Sequence, residues 1–259
     1  MEEHAIIDYL KEKLAKNTLK LPRSPVMIRD IERAMSDDTK SMSDIAKIIE
    51  RDPVVCSRLF QLVNSPALRG YREITTVKDA LTAIGINVAK HLILAVFLRD
   101  RFSTVNRALS ALVTDLFVRS VDMSVCGKGV AQELQGDGFD VDPDVVGLGG
   151  LMYHVGALPI IAYFEANPIE DVEVVQSTIR AMRAEATSIV FSSWNICGDV
   201  GLVVTSTDRG ILGVDVLASI DDRLSGVQGG SSNGAVRDRV GDLSKHLERS
   251  ADVRAMFQH

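Results

Sequence analysis

The chain predicts an all-α protein: a compact multi-helix domain with an extra N-terminal helix and a C-terminal helical tail. Three observations carry that expectation. Apolar residues recur at intervals of three and four almost throughout, which places them on one face of successive helices. Helix-start residues stand ahead of those stretches at Ser41, Asp52, Thr76 and Asp142. The 259 residues are 46% hydrophobic but only 5% aromatic, so Val, Ile, Leu and Ala supply the core, and the length suffices for a large one.

Taken in order, Ile6, Ile7, Leu10 and Leu14 form the stripe of an N-terminal helix over residues 1–20, ended by Leu21-Pro22-Arg23-Ser24-Pro25. Ile28, Ile31 and Met35 give a second helix. Ser41 and Asp44 have the spacing at which a hydroxyl and a carboxylate satisfy the free N–H groups of a helix start, ahead of Ile45, Ile48 and Ile49. Asp52-Pro53 joins an N-cap acceptor to a proline at the first helical position, where no N–H is needed. Val55, Leu59, Leu62 and Val63 are that helix's expected buried face, and Asn64-Ser65-Pro66 its stop. Thr76 and Asp79 repeat the capping spacing before Leu81 and Ile84. Gly85 is placed to close that helix in a left-handed conformation, with Asn87 as the expected cap of the next, which carries Val88, Leu92, Ile93 and Val96.

A long helix is expected from about Val105 to Leu134, interrupted only at Gly127 and Gly129. Asp142-Pro143 opens another through the stretch Val145–Phe164, and Val174 to Val190 is helical by pattern. Gly201–Thr205 and Ile211–Ala218 would also suit short strands. Nothing else in the chain offers strand partners, so helices are expected there as well. The resulting layout is a main domain over 21–220, a flexible Gly/Ser-rich linker over 221–234 and a charged helix over 235–259 whose apolar positions Val240, Leu243 and Leu247 form a thin stripe.

Charge and composition exclude several classes. A formal charge of −6 opposes non-specific binding to nucleic acid or an anionic membrane. Cys56, Cys126 and Cys197 are odd in number and far apart, without a C-x-x-C pair, as expected of small buried side chains in a reducing cytoplasm. The start MEEHAIIDYLKEKL lacks the basic opening and apolar core of a signal peptide. Val145–Phe164 carries no Asp, Glu, Lys or Arg, and about 20 residues can span a bilayer. Its glycines, His154 and Pro159 and the lack of a basic flank favour a core segment of a soluble protein instead.

The chemical motifs are sparse. In DGFDVDPD, Asp140, Asp142 and Asp144 alternate as in a calcium loop, but Val145 stands where the loop needs glycine and Leu151 where it needs a bidentate Glu. Gly147–Gly150 and Gly127-Lys128-Gly129 lack the strand and flanking residues of a phosphate loop, so close helix packing explains them better. None of His4, His91, His154, His246 and His259 pairs with another at helical spacing, and none is followed by Asp. No cofactor and no metal are expected.

Three consecutive segments resemble the HDOD family, a divergent branch of the HD metal-dependent phosphohydrolases: LPRSPVMIRDIERAM, IIERDPVVCSRLFQLVNSPALRG and ITTVKDALTAIGINVAKHLIL. The signature residues are Asp52, Pro53, Arg58, Leu59, Asn64, Ser65 and Gly85, which are also the candidates for interaction. The resemblance runs from about Leu21 to Ile220. It implies a metal site built on an adjacent His-Asp pair with further His and Asp ligands, and here this chain departs from the family. GLMYHVGALPII resembles the segment bearing the pair, anchored by Gly156, with Tyr153 in the place of the His and His154 in that of the Asp. DLFVRSVDMSV puts Arg119, beside Ser120, where the first His ligand stands. RAEATSIVFSSW, which leads to Trp194, puts Arg183 where the family often has His. Thr205, Ser206 and Thr207 replace a closing His pair.

These seven positions (Arg119, Ser120, Tyr153, His154, Gly156, Arg183 and Trp194) outline a vestigial pocket. Two guanidiniums repel a divalent cation, so a non-enzymatic protein is expected. Arg119 and Arg183 either converge on an anion or, the favoured arrangement, point to solvent or pair with acids such as Asp115 or Glu185. The resemblance implies a regulatory module acting through protein contacts in a bacterial signalling pathway. By analogy its partners are sensor kinases, response regulators or cyclic-dinucleotide enzymes. Two other functions stay open: a residual metal-dependent phosphohydrolase, and a receptor for a nucleotide or other anionic small molecule.

Overall fold

A computed structural model describes residues 8–9, 12–13, 16, 26–37, 39–64, 73–101, 106–168, 171–194, 199–206, 212–225, 234–241 and 243–255. Every regular element among them is an α-helix, including the two stretches that also suited strands. Of the N-terminal helix, residues 8–9 and 12–13 are described and are helical. The chain divides into two compact units, Ser24–Asp100 with Asp252–His259, and Met1–Arg23 with Arg101–Ala251.

The first unit contains α1 (Val26–Met35), α2 (Met42–Ile49), α3 (Pro53–Val63), α4 (Val77–Ile84) and α5 (Ile86–Arg101). Helices α1 and α2 pack together, and α4 packs on both α2 and α3. Ile31, Ile45, Ile49, Leu59, Val63 and Leu81 are buried between them, whereas Leu62 is half-buried. The helix starts form as the sequence predicts. Asp44 accepts from the Ser41 backbone at 3.0 Å, Asp52 accepts from the N–H groups of Val54 and Val55, and the Thr76 hydroxyl accepts from Asp79 N–H.

Asn64 does more than end α3. Its side-chain amide donates to the carbonyl of Ile74 and accepts from its N–H, both at 2.9 Å, so one side chain clasps the backbone ten residues on. Gly85 closes α4 with φ +79° and ψ 156°, a positive-φ conformation that disfavours side chains. Its ψ is extended, so it is not the helical left-handed turn expected. Its carbonyl accepts from Ala89 N–H at 3.2 Å. Helix α5 therefore begins at Ile86, and Asn87 lies inside its first turn instead of capping it.

The second unit is organised on α6 (Arg107–Gly136), which runs unbroken for 30 residues through Gly127 and Gly129. The other helices are α7 (Pro143–Met152), α8 (Ala157–Ala166), α9 (Val172–Trp194), α10 (Asp199–Thr205), α11 (Leu212–Leu224), α12 (Gly234–Gly241) and, as far as Ala251, α13 (Ser244–Ala255). Helix α7 lies along α6, α10 and α11 pack on α7, and α9 joins α8 to α10. At the crossing of α6 and α7 the chains all but touch: a Cβ on Gly150 would sit 2.5 Å from the Met123 carbonyl carbon and oxygen.

The uncharged stretch is two helices, broken by a turn over residues 153–156. Across Pro143–Ala166 it is long and apolar enough to cross a membrane, yet 83% of its most apolar window is buried inside the protein. It forms the centre of this unit's core.

Two expectations about the C-terminal region are corrected. The linker does not begin at 221, because α11 continues to Leu224 and keeps Asp221 on its inward face. Residues 226–233 of that segment lie outside the described residues. The single helix expected over 235–259 is two, since Gly241, a poor helix former, ends α12. A new helix starts on the Leu243 carbonyl, which accepts from the N–H groups of His246 and Leu247. The beginning of α13 is docked firmly on α6. His246 is buried against Gly129, where a Cβ would overlap its ring, the Ser250 hydroxyl donates to Asp122, and Lys245 pairs with Glu133.

Gly150→Ala tests the helix crossing. The new methyl meets rigid backbone, so the variant should lose about 1–3 kcal/mol or more, read as a lower urea midpoint at unchanged slope.

Candidate functional site

The residues of the vestigial pocket come from three elements of the second unit. Arg119 and Ser120 lie mid-way along α6, Tyr153, His154 and Gly156 form the turn between α7 and α8, and Arg183 and Trp194 belong to α9. Gly156 lets the turn press on α9, since a Cβ there would lie 2.6 Å from Thr187 N and 2.9 Å from the Arg183 carbonyl oxygen. Ser120 is buried, and its hydroxyl donates to Leu116 within its own helix at 3.0 Å. Trp194 is buried at the end of α9. Neither is among the groups that meet below.

Arg183 spreads its guanidinium over the Tyr153 ring, 4.0 Å from Cζ to centroid, and donates to the Val204 carbonyl of α10 at 2.7 Å. Arg119 pairs with Asp115 one turn earlier, Nε to Oδ2 at 2.8 Å, and its Nη1 donates to the Ser225 hydroxyl at 2.5 Å. The imidazole of His154 meets the Tyr153 ring edge-on at 5.3 Å, and its Nε2 stands 3.7 Å from Asp221 Oδ1. That is close enough for a charge interaction but too far for a hydrogen bond. Neither atom has a hydrogen-bond partner among the described residues, nor does the buried hydroxyl of Thr187.

Electrostatics tie these groups together. Burial, then Arg183, then Arg119 push the His154 imidazole down to about 3, so it is neutral at physiological pH. Burial raises the Asp221 carboxyl, opposed by Arg183 and Arg119 and reinforced by Asp222. Each guanidinium is held by its own partner, yet both bear on one buried His–Asp couple. A cavity of about 190 Å³ opens beside them, lined by the polar Tyr153, Arg183, Ser206 and Asp222 and by the apolar Val203, Val214 and Ala218.

Asp221 and Asp222 are the residues that sequence reasoning missed, having assigned them to a linker. Their signal is positional. Val214, Ala218 and Asp222 are four apart, and Asp221 falls seven residues after the buried Val214 and four after the buried Leu217, so an acid continues an apolar stripe.

This donor set does not fit a catalytic metal. Such a site takes about three protein ligands and an open position. Among the described residues no group of three or more His, Cys, Asp or Glu side chains is placed to hold an ion. His154 and Asp221 supply two donors, under the field of two guanidiniums.

The sequence profile of the HDOD domain matches residues 21–201. The chain belongs to the HDOD family. A protein from Shewanella amazonensis SB2B, provisionally named a metal-dependent phosphohydrolase, superposes with a TM-score of 0.81 at 21% identity, covering 99% of each chain. An HDOD domain protein of unknown function from Geobacter sulfurreducens gives 0.65 at 16% identity over 100% of both chains. A protein from Marinobacter aquaeolei VT8, provisionally named a signal transduction protein, gives 0.60 at 17% identity over 98% of this chain and 65% of its own. At these identities the likeness establishes the HDOD fold. A search of curated proteins finds no match. Of the signature residues, Asp52, Pro53 and Gly85 shape helix ends, Leu59 is core, Asn64 holds the Ile74 backbone and Arg58 bonds Gln61 on the surface. Ser65 lies outside the described residues.

The buried imidazole fixes the sign of a pH effect. His154 ordinarily titrates near 6.5 and here at about 3, so between those values the unfolded chain binds a proton that the folded one refuses. Its contribution is complete above 6.5 and is lost toward 3, by about 1.4 kcal/mol per pH unit. Asp221, with a raised value, has the opposite sign, because its native state takes the proton first. Urea unfolding of wild type and His154→Gln from pH 7 to 4 isolates the imidazole: the advantage of wild type should shrink as pH falls. A constant difference would mean that His154 titrates alike in the folded and unfolded chains.

Proposed function

We propose that this HDOD protein is a non-catalytic regulatory module that acts through contacts with a protein partner in a bacterial signalling pathway. The observation that carries this reading is the pair of guanidiniums, Arg119 and Arg183, bearing on His154 and Asp221. Positive charge bears on the two donors, His154 and Asp221, and opposes a divalent cation there. The neighbour provisionally named a signal transduction protein supports the regulatory part. A domain that has given up metal ligands but kept the fold has its surface to act with, and a sensor kinase, response regulator or cyclic-dinucleotide enzyme is the partner class proposed.

The test is direct. Protein purified without chelator should carry far less than one equivalent of manganese, iron or zinc and show no phosphodiesterase turnover above buffer. Stoichiometric metal with turnover would return the chain to the phosphohydrolases. Capture from the native host should then retain one of the named signalling classes in amounts comparable to the bait.

A second reading is favoured by the cavity at Arg183: the module receives its signal as a small molecule bound beside the His154–Asp221 couple.

A further inference from the structure

We propose that the groove between α1 and α2 docks a carboxylate-rich segment of a partner protein, an inference that rests on the protein-contact reading above and names the surface and the partner's chemistry. The groove has a volume of about 370 Å³. Helix α1 lines it with Asp30, Arg33 and Ala34, and α2 with Asp44, Lys47 and Ile48. Asp37 and Lys40 from the connection and Arg51 from beyond α2 complete it. Four cations thus stand among three acids, in a chain whose formal charge is −6.

The acids are engaged within their own turns. Asp44 Oδ2 accepts from the Ser41 N–H at 3.0 Å and from its hydroxyl at 2.8 Å, while Oδ1 meets Lys47 at 3.4 Å. Asp37 Oδ1 accepts from the N–H and the hydroxyl of Thr39, and Asp30 meets Arg33 at 3.5 Å. In both ion pairs the cation is the outer member. The Arg33 side chain is 80% exposed against 31% for Asp30, and that of Lys47 70% against 37% for Asp44. Lys40 and Arg51 are exposed. Lys40 acts on Asp37 through space without an ion pair, and Arg51 has no carboxylate partner among the described residues. The charge that this groove offers to a partner is therefore positive, and the Arg51 fork suits a carboxylate.

Spacing and apolar surface favour a protein segment over a nucleic acid. A nucleic-acid strand carries a phosphate about every 3.4 Å and would lay some of them against Asp30, Asp37 and Asp44. A helical segment can present carboxylates one turn apart, about 5.4 Å, and so meet the cations without facing every acid. Ala34 and Ile48 add apolar lining. Met35 at the end of α1 and Met42 at the start of α2 are exposed, and methionine adapts readily to a partner's side chains.

The experiment uses the full chain and the fluorescence anisotropy of a labelled octaglutamate peptide at low salt. The expected result is a Kd of about 1 mM or tighter. It should weaken at least about fivefold in roughly 0.2 M salt, because exposed charges are screened. Lys40→Gln with Arg51→Gln, which removes the two cations outside the ion pairs, should weaken binding at least about fivefold, whereas Lys40→Arg with Arg51→Lys should preserve it. Lys78→Gln with Arg180→Gln removes the same charge from exposed positions outside the groove and should leave binding within about twofold. Circular dichroism and urea midpoints confirm that each variant is folded. Absence of peptide binding, or equal weakening by the two pairs of Gln substitutions, overturns the groove as a docking site. Tighter binding of a thymidylate octamer, or displacement of the peptide by equimolar inorganic phosphate, overturns the protein partner in favour of a nucleic acid or a free anion. Capture from the native host separates this inference from the reading beneath it. A signalling protein retained equally by wild type and by the Lys40→Gln, Arg51→Gln variant removes the groove and keeps the protein-contact reading, whereas stoichiometric metal with turnover removes the reading itself.

Discussion

The approach of Gly150 to the Met123 backbone is the constraint on which the second unit depends. Helices normally keep their axes apart by the width of a side chain. Here one residue has none, and α7 settles almost onto α6. That contact sets the depth of the turn that follows, so Tyr153 and His154 enter the interior three and four residues after the helix has been pinned. Gly156 repeats the device against α9 on the far side of the same turn. A short segment is thus clamped between two long helices by two missing side chains. Its position is steric, and no hydrogen bond is needed to explain it.

That clamping accounts for the unusual electrostatics. An imidazole forced into the interior meets a carboxyl from α11 at a distance just beyond a hydrogen bond, and both are disfavoured as ions by burial. The two arginines reach the couple from α6 and α9 while keeping partners of their own: Asp115 and Ser225 for one, Tyr153 and Val204 for the other. The arrangement is self-consistent as a set of neutral and paired groups. It is poor as a coordination sphere, because every donor that could face a cation shares its surroundings with a guanidinium. The HDOD fold is retained, and its buried turn carries Tyr153 and His154.

Much of the fold was legible because the deciding interactions are local. Asp52-Pro53, Ser41 with Asp44 and Thr76 announce helix starts through bonds that span three residues or fewer. The four-residue apolar rhythm of α6 and α9 is plain even where glycines punctuate it. What the sequence hid was long-range. The stripe of Val214 and Leu217 runs on into Asp221, but nothing in it declares that the acid faces His154, 67 positions earlier; a glycine- and serine-rich stretch just downstream drew the boundary too early. Likewise Gly241 divides the last helix, and a buried Leu243 gives the second piece its own anchor. The arginines were identified by alignment to a family, but that Arg119 prefers Asp115 while still acting on the couple is a matter of geometry in three dimensions.

The Asn64 clasp has a consequence for how this family can vary. Because one amide secures both polar groups of Ile74, the ends of the connection between α3 and α4 are tied together whatever lies between them. Closing a longer connection costs little once its ends are fixed, about 0.6 kcal/mol for each doubling of length. The segment can therefore gain or lose residues without moving either helix. An insertion there would leave the bonded ends in place, so related chains can differ in length at this point while keeping the same core.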